Sequence, residues 1–208
     1  VDFLEELGIY FYKIASFEIV DIPLIKYIAS KGKPIIMSTG MATLGEIENA
    51  VDAVKSQGNE NLCLLKCSSA YPAIPADMNL KTIKHLEKTF GVIAGLSDHS
   101  TGSIAAVTAV AMGAKIIEKH FCLSRQIKTA DSLFSMEPQE FKQMVENIRA
   151  AERAIGKISY EVSEKEKASR VCRKSIFTVK DIKKGEVFTE ENIRVIRHRL
   201  TLDSVKYF

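Results

Sequence analysis

The sequence predicts an α/β protein and, within that class, a (β/α)8 TIM barrel. Three observations carry the prediction. Short β-prone apolar runs alternate with amphipathic helical patterns, which implies a parallel sheet. Five such runs each end, on the C-terminal side, in polar and reactive residues. Barrels assemble one site from several strand ends, whereas an open doubly wound sheet, the alternative closure, concentrates it at a switch point. The chain also opens inside a helical pattern, so these read as the C-terminal five βα units, with roughly three of the eight lying outside the sequence.

The elements follow in order. Val1, Leu4 and Leu7 have helical spacing with no capping residue before them, so the chain is expected to be part of a longer protein. The first β-run is Ile9–Ala15, ending in Ser16-Phe-Glu18. The second is Pro34–Met37, ending in Ser38-Thr-Gly-Met41. Then come Leu62–Leu65, ending in Lys66-Cys-Ser-Ser69, and Val92–Leu96, ending in Ser97-Asp-His99. The fifth is Lys115–Glu118, followed by Lys119-His120. Thr43-Leu-Gly-Glu46 has capping-box spacing, with Ile47, Val51 and Val54 on one face of the helix it opens. Leu80–Phe90 and Ser103–Ala114 read as helices. A longer one after Pro138 places Phe141, Met144, Val145, Ile148, Ala151 and Ile155 on one stripe, with Gly156 to end it. Residues 158–173 are polar and charge-rich, a linker or an exposed helix. Beyond them, Ser175–Val179 and Val187–Asn192, with a Lys-Gly turn between, suggest the start of a small β domain.

Composition narrows the function classes. Of 208 residues, 46% are hydrophobic and 26% charged, an ordinary globular balance. The net charge is +3 with no long run of one sign, which gives a nucleic-acid or polyanion partner little support. The longest apolar stretches fall far short of a membrane span, and no signal-peptide pattern opens the chain. The four cysteines form no CxxC pair. Cys63, Cys67 and Cys122 lie in or beside apolar runs, and all are expected to be reduced and buried, as in a cytoplasmic protein.

The strand ends form one constellation: Lys13, Ser16, Glu18, Ser38, Lys66, Ser69, Tyr71, Ser97, Asp98, His99, Glu118 and His120. His99 and His120 would end neighbouring strands, so their rings can converge on one ion. Neutral imidazole suits Mn, Fe, Co or Zn, with a carboxylate or water completing the shell. Two structural histidines remain the competing reading. Lys13 and the serines suit an anion, because lysine supplies charge while hydroxyls and backbone N–H groups wrap a phosphate. Asp98 reads either as an orienter of His99 or as a helix N-cap.

Taken together, Lys13-Ile-Ala-Ser16-Phe-Glu18, Lys33-Pro-Ile-Ile-Met-Ser-Thr-Gly-Met41, Lys66-Cys-Ser-Ser-Ala-Tyr-Pro72, Gly95-Leu-Ser-Asp-His99, Glu118-Lys-His-Phe121 and Asp131-Ser-Leu-Phe-Ser-Met136 resemble the sialic acid synthase family. The resemblance runs from Val1 to about Gly156 and resumes in Arg173–Arg197. Within the family the chain looks most like the pseudaminic-acid branch, on Lys66-Cys-Ser-Ser-Ala-Tyr-Pro72 and on Leu-Ser-Arg125 after Glu118-Lys-His-Phe121.

The resemblance implies a catalytic barrel over 1–157, a linker over 158–173, and part of an antifreeze-like (SAF) domain over 174–208. It implies a transferase that condenses phosphoenolpyruvate with an acylamino sugar, here a 2,4-diacetamido-2,4,6-trideoxy sugar. N-acetylneuraminate or legionaminate synthesis is the alternative within the family, and a non-catalytic sugar-phosphate-binding barrel the alternative outside it. A divalent metal ion, Mn²⁺ or Mg²⁺, would be held by His99 and His120. Phosphate would be held by Lys13, Ser16, Ser38 and Ser97, and sugar contacted by Glu18, Tyr71 and Asp131. Glu18, His99 and His120 would carry the chemistry. Ser69 stands where sialic acid synthases have Asn. Arg197 matches an arginine that reaches the partner's sugar site in a homodimer, although Arg197-His-Arg199 replaces the family's Arg-Pro-Gly, and Gln126-Ile-Lys-Thr-Ala130 lacks its Gly-Pro. A catalytic Glu and an Asn-His motif of the family would precede Val1, so the 208-residue chain alone is expected to be inactive.

Overall fold

A computed structural model describes residues 1–197. Contacts divide the chain into a unit of Val1–Gly156 and a second unit from Lys157, each described by itself.

The first unit is five parallel strands in the order of the sequence, β1 (Tyr12–Ile14), β2 (Ile35–Ser38), β3 (Leu62–Cys67), β4 (Ile93–Asp98) and β5 (Ile117–Lys119). Parallel neighbours require crossovers, and helices supply them: α2 (Ile22–Ala29), α3 (Leu44–Lys55), α4 (Thr82–Phe90) and α5 (Ile104–Ala111). A short α1 (Asp2–Glu6) precedes β1, and α6 (Pro138–Ile155) follows β5. The sheet is the half-barrel that five βα units predict.

Alternation along each strand decides what lies where. Tyr12 and Ile14, Ile35 and Met37, Leu62 and Leu64, and Leu96 turn toward the helices and are all buried. With Ile25, Val51, Val54, Ile83 and Leu86 from the helices they form one core. A smaller cluster of Ala106, Met136, Met144 and Ile148 joins α5 to α6. The opposite face of the sheet carries the polar strand ends.

Local signals set the element boundaries. The predicted capping box at α3 is present, with Thr43 and Glu46 bonding each other's backbone N–H. A second capping box, Glu137 with Glu140, opens α6, with Pro138 in its first turn. Gly91, at φ +67°, ends α4 in the left-handed conformation that glycine adopts without cost. Gly95 answers a different need. A Cβ there would lie 2.3 Å from the Ile116 carbonyl oxygen and 2.7 Å from Leu65 Cδ2, so only glycine lets β4 lie this close to the chain entering β5.

Several expectations are corrected. The first strand begins at Tyr12 rather than Ile9, because Tyr10 and Phe11 are exposed and join no ladder. Helix α2 was not anticipated; Asp21 caps it through the Leu24 N–H and Pro23 lies in its first turn. On the α6 stripe Val145 and Ile155 are exposed. All four cysteines are free, but only Cys67 is buried; Cys63, Cys122 and Cys172 are half-exposed.

In the second unit, α7 (Glu164–Ser169) opens with a Ser163–Glu166 capping box, so the charge-rich segment does contain a helix. Two antiparallel strands follow, β6 (Lys174–Thr178) and β7 (Ile193–Arg197). The run Val187–Asn192 is therefore not a strand. Asn192 there accepts from the Thr189 N–H and donates to the Val187 carbonyl, bonds that turn the chain into β7. Among the described residues, no helix is long and apolar enough to cross a membrane.

Candidate active site

The C-terminal ends of β1, β2, β4 and β5 carry a hydrogen-bonded network around one cation. Lys13 Nζ donates to Ser38 Oγ at 2.9 Å and lies 3.7 Å from a Glu118 carboxylate oxygen. Ser97 Oγ donates to the other Glu118 oxygen at 2.7 Å. Register explains two of the contacts, since Ser97 and Glu118 are ladder partners and Lys13 pairs with Ile36, two residues before Ser38 on the same face; the Lys13–Glu118 contact joins the two edge strands, which share no ladder. Ser16 starts the turn after β1 and is buried, and its hydroxyl accepts the Gly40 N–H at 3.0 Å. Gly40 is where three side chains close in. A Cβ there would sit 2.1 Å from Ser69 Oγ, 2.8 Å from Ser16 Oγ and 3.1 Å from Cys67 Sγ.

Beside this network stands a cluster of rings. The His99 and His120 centroids are 5.1 Å apart. Tyr71 leans on His99 with centroids 4.2 Å apart, and Phe134 meets His120 edge-on at 4.9 Å. His99 Nδ1 lies 2.9 Å from the Ser68 carbonyl oxygen, an acceptor only, so Nδ1 carries the proton and Nε2 keeps its lone pair. His120 Nδ1 faces Asp131 Oδ2 at 3.7 Å. Both rings thus turn Nδ1 toward an oxygen, leaving Nε2 as the free donor, the arrangement common around metal-bound imidazoles.

The electrostatics differ between the two histidines. Burial works against the charged form of His99, but the Cys67 thiol and the Ser68 carbonyl outweigh it and push the pKa above the usual imidazole value. Burial and the neighbouring His99 hold His120 below it. For Cys67 burial raises the pKa. Contacts with His99, Ser16 and Ser69 more than reverse that, to about 7. Burial, then the Cys67, Asp131 and Glu118 charges, raise Tyr71.

Two imidazole nitrogens suit a divalent transition metal. Among the described residues no group of three or more His, Cys, Asp and Glu side chains is placed to hold a metal ion. An ion held by these two nitrogens alone would take its remaining positions from water or other oxygen ligands.

The predicted residues are placed as follows. Lys13, Ser38 and Ser97 share one network. Tyr71, His99, His120 and Asp131 share the ring cluster. Ser16 and Ser69 meet around Gly40. Glu18 is half-buried in the turn after β1, where its backbone N–H donates to the Ala15 carbonyl; among the described residues its carboxylate has no hydrogen-bond or ion-pair partner. Arg197 ends β7 in the second unit, where it is exposed; His198 and Arg199 lie outside the described residues. Asp98 makes no hydrogen bond to the His99 ring and is not the N-cap of α5, whose N-cap is Ser103. Its carboxylate accepts from Ser100 and pairs with Lys119.

Sequence reasoning left out Cys67, the Ser68 carbonyl, Lys119 and Phe134, and gave Glu118 no role. A signal for Glu118 and Lys119 was available. Ser97 with Glu118 and Asp98 with Lys119 are both 21 residues apart, the separation of His99 and His120. One βα unit in fixed register pairs all three. Phe134 had none, since it reaches the site on the loop after β5.

A half-barrel whose strand ends join a Lys13–Ser38–Glu118–Ser97 network to a histidine pair has relatives among known barrel enzymes. The NeuB family model matches residues 1–160, and the chain belongs to the NeuB family. It is 47% identical over 197 residues to a pseudaminic acid synthase of Campylobacter jejuni, covering 95% of this chain and 57% of that protein. It is 41% identical over 210 residues to an N,N'-diacetyllegionaminic acid synthase of the same species, covering 100% of this chain and 63% of that protein. The N-acetylneuraminic acid synthetase of Leptospira borgpetersenii, solved in complex with citrate, superposes with a TM-score of 0.74 at 35% identity, covering 81% of this chain and 59% of that one. That solved relative supports the barrel-type fold. The chain spans less than two thirds of the length of these relatives.

Proposed function

We propose that the protein carrying this chain is a pseudaminic acid synthase. It would condense phosphoenolpyruvate with 2,4-diacetamido-2,4,6-trideoxy-L-altropyranose to give pseudaminic acid and phosphate. The observation that carries the reading is the junction of the Lys13–Ser38–Glu118–Ser97 network with the His99–His120 pair at one end of the sheet. The 47% identity to a pseudaminic acid synthase supports the choice of sugar.

The chemistry follows from the residues. C3 of the enol attacks the sugar aldehyde carbon, water adds at C2, and the C2–O bond to phosphate breaks. A divalent metal, Mn²⁺ or Mg²⁺, held by the free Nε2 atoms of His99 and His120 would supply Lewis acidity toward the aldehyde oxygen. Lys13 balances the phosphate charge throughout, and the hydroxyls of Ser16, Ser38 and Ser97 fix its orientation, so the leaving group is bound before its bond breaks. Tyr71 and Phe134 wall the ring side against water. Asp131, and Glu18 with its unengaged carboxylate, accept from sugar hydroxyl and amide groups, and Ser69 lies within the same reach. In the whole protein β6 and β7 would begin an antifreeze-like domain over 174–208, joined by 158–173 to a barrel domain ending at 157. In a cytoplasmic homodimer Arg197 would reach the partner's sugar.

The related reading, legionaminic or N-acetylneuraminic acid synthesis, is favoured by the 41% identity that extends over the whole chain. One assay separates these. Phosphate release by the full-length protein is measured with pseudaminic-type, legionaminic-type and mannosamine-type sugars, with Mn²⁺ and after chelation. We expect release with the pseudaminic-type sugar and its loss on chelation. Faster release with another sugar would reassign the substrate. No release with any sugar would favour a binding barrel, and full release after chelation would remove the metal.

A further inference from the structure

The helix-facing side of β4 and β5 holds a buried ion pair that the chemistry above does not use. Asp98 Oδ2 and Lys119 Nζ lie 2.8 Å apart, and their side chains are 0% and 1% exposed. An ion pair so deep is expensive in desolvation and is weak evidence for stability as such. Its position suggests another use. Asp98 and Lys119 are the last ladder partners of β4 and β5. The two histidines are the next residues on each strand, one step beyond the point where backbone pairing stops. The pair encloses His99 from both sides. Asp98 Oδ1 accepts the Ser100 N–H at 2.8 Å and the Ser100 hydroxyl at 2.7 Å, and Lys119 Nζ also donates to the Ser100 carbonyl. His99 is therefore the middle residue of a loop closed by three bonds to one carboxylate and one ammonium. That ammonium belongs to the residue just before His120.

We propose that Asp98 and Lys119 are positioning residues for the histidine centre. They act from the opposite face of the sheet and set the separation at which His99 and His120 present their free nitrogens. The backbone ladder fixes β4 against β5 only as far as residues 98 and 119, and the ion pair extends that constraint to the two residues that need it. Alternation keeps the pair out of reach of substrate, since Asp98 and Lys119 share the parity of the core residues Leu96 and Ile117. The inference rests on the metal reading of the histidines.

The test measures Mn²⁺ binding by the folded full-length protein, through the loss of the free-ion electron paramagnetic resonance signal, beside thermal stability. Three variants are compared: Asp98→Asn, the neutral double variant Asp98→Asn with Lys119→Gln, and Ser100→Ala, which removes only one bond to Asp98. The double variant leaves no unpaired buried charge, so it should recover most of the stability that Asp98→Asn loses. It should still bind Mn²⁺ about tenfold or more weakly, in line with what outer partners of metal ligands contribute. Ser100→Ala should weaken binding severalfold with little change in melting temperature, and it serves where the others fold poorly. Double and Ser100→Ala variants that bind Mn²⁺ within twofold of the wild type would overturn the inference and leave the metal reading intact. A wild type that binds no Mn²⁺ would overturn both.

Discussion

The two halves of the candidate site are held in different ways. The half proposed to hold the anion is a set of side chains in contact with one another: Lys13 with Ser38 and Glu118, and Glu118 with Ser97. The ring half has few such bonds. His99 is held through a backbone carbonyl and the Cys67 thiol, His120 faces a carboxylate, and ring-against-ring contacts complete the set. The first half is built from strand residues, by register within neighbouring strands and by the Lys13–Glu118 contact between the two edge strands. The second depends on loops, because Ser68, Tyr71, Asp131 and Phe134 all lie beyond strand ends.

The comparison can be broken from either side. Replacing His99 or His120 by Ala should have the largest effect. Loss of Lewis acidity worth several kcal/mol corresponds to a turnover drop on the order of 10³-fold. Phosphoenolpyruvate binding, followed by equilibrium titration, should survive. Lys13→Met should show the converse, with kcat/KM for phosphoenolpyruvate falling on the order of 10²-fold and Mn²⁺ affinity unchanged. If each variant lost both kinds of binding, the halves would not be separable.

Gly40→Ala strikes the seam. Its Cβ would stand 2.1 Å from Ser69 Oγ and 2.8 Å from Ser16 Oγ, so side chains on both sides must move. Overpacking of this kind costs about 1–3 kcal/mol. Denaturant unfolding should show that loss, and both ligands should bind more weakly. A variant with wild-type stability and binding would show the cradle to be looser than drawn.

The smallest effect is expected at a strap on the ring half alone. Arg125 grips Glu140 with both guanidinium nitrogens and also donates to the Ser135 carbonyl, tying the loop of Asp131 and Phe134 to α6. The Arg125 guanidinium and the Glu137 N–H hold the Glu140 carboxyl at about 2, below its ordinary 4.5. A depressed carboxyl stabilises the fold above its ordinary pKa and loses that contribution as pH falls from about 4.5 toward about 2. The pair is solvent-accessible, so the effect is small. Glu140→Gln should lower the melting temperature slightly at pH 7, with the difference closing below pH 2. It should raise the KM for the sugar before that for phosphoenolpyruvate.

Legibility in the sequence divides along the same line. Lys13, Ser38, Ser97, His99 and His120 could be read because each closes or follows an apolar run, and parallel strands bring such residues together. The half-barrel was readable for the same reason. Short helix α2 escaped because Phe17, Ile19, Val20 and Ile22 blur into the run before it. The partner of Asp98 was missed because a one-dimensional pattern shows its neighbour, His99, and not its ladder partner 21 residues on. Phe134 and Asp131 depend on a loop path that no periodicity encodes. Arg197 was named by resemblance alone, and its strand belongs to a unit in which, among the described residues, only Asn192 is buried.

The close approach of β4 to Ile116 at Gly95 has a practical consequence for directed evolution of this half-barrel. Libraries aimed at new sugars can vary positions such as Ser69, Tyr71, Asp131 and Phe134, whose backbone no ladder constrains. Position 95 should be withheld from randomisation. Any side chain there drives into a carbonyl oxygen of the neighbouring segment, displacing β5 and so altering the spacing of the two imidazoles. Such a clone would score as a loss of activity and be mistaken for a failed substrate contact.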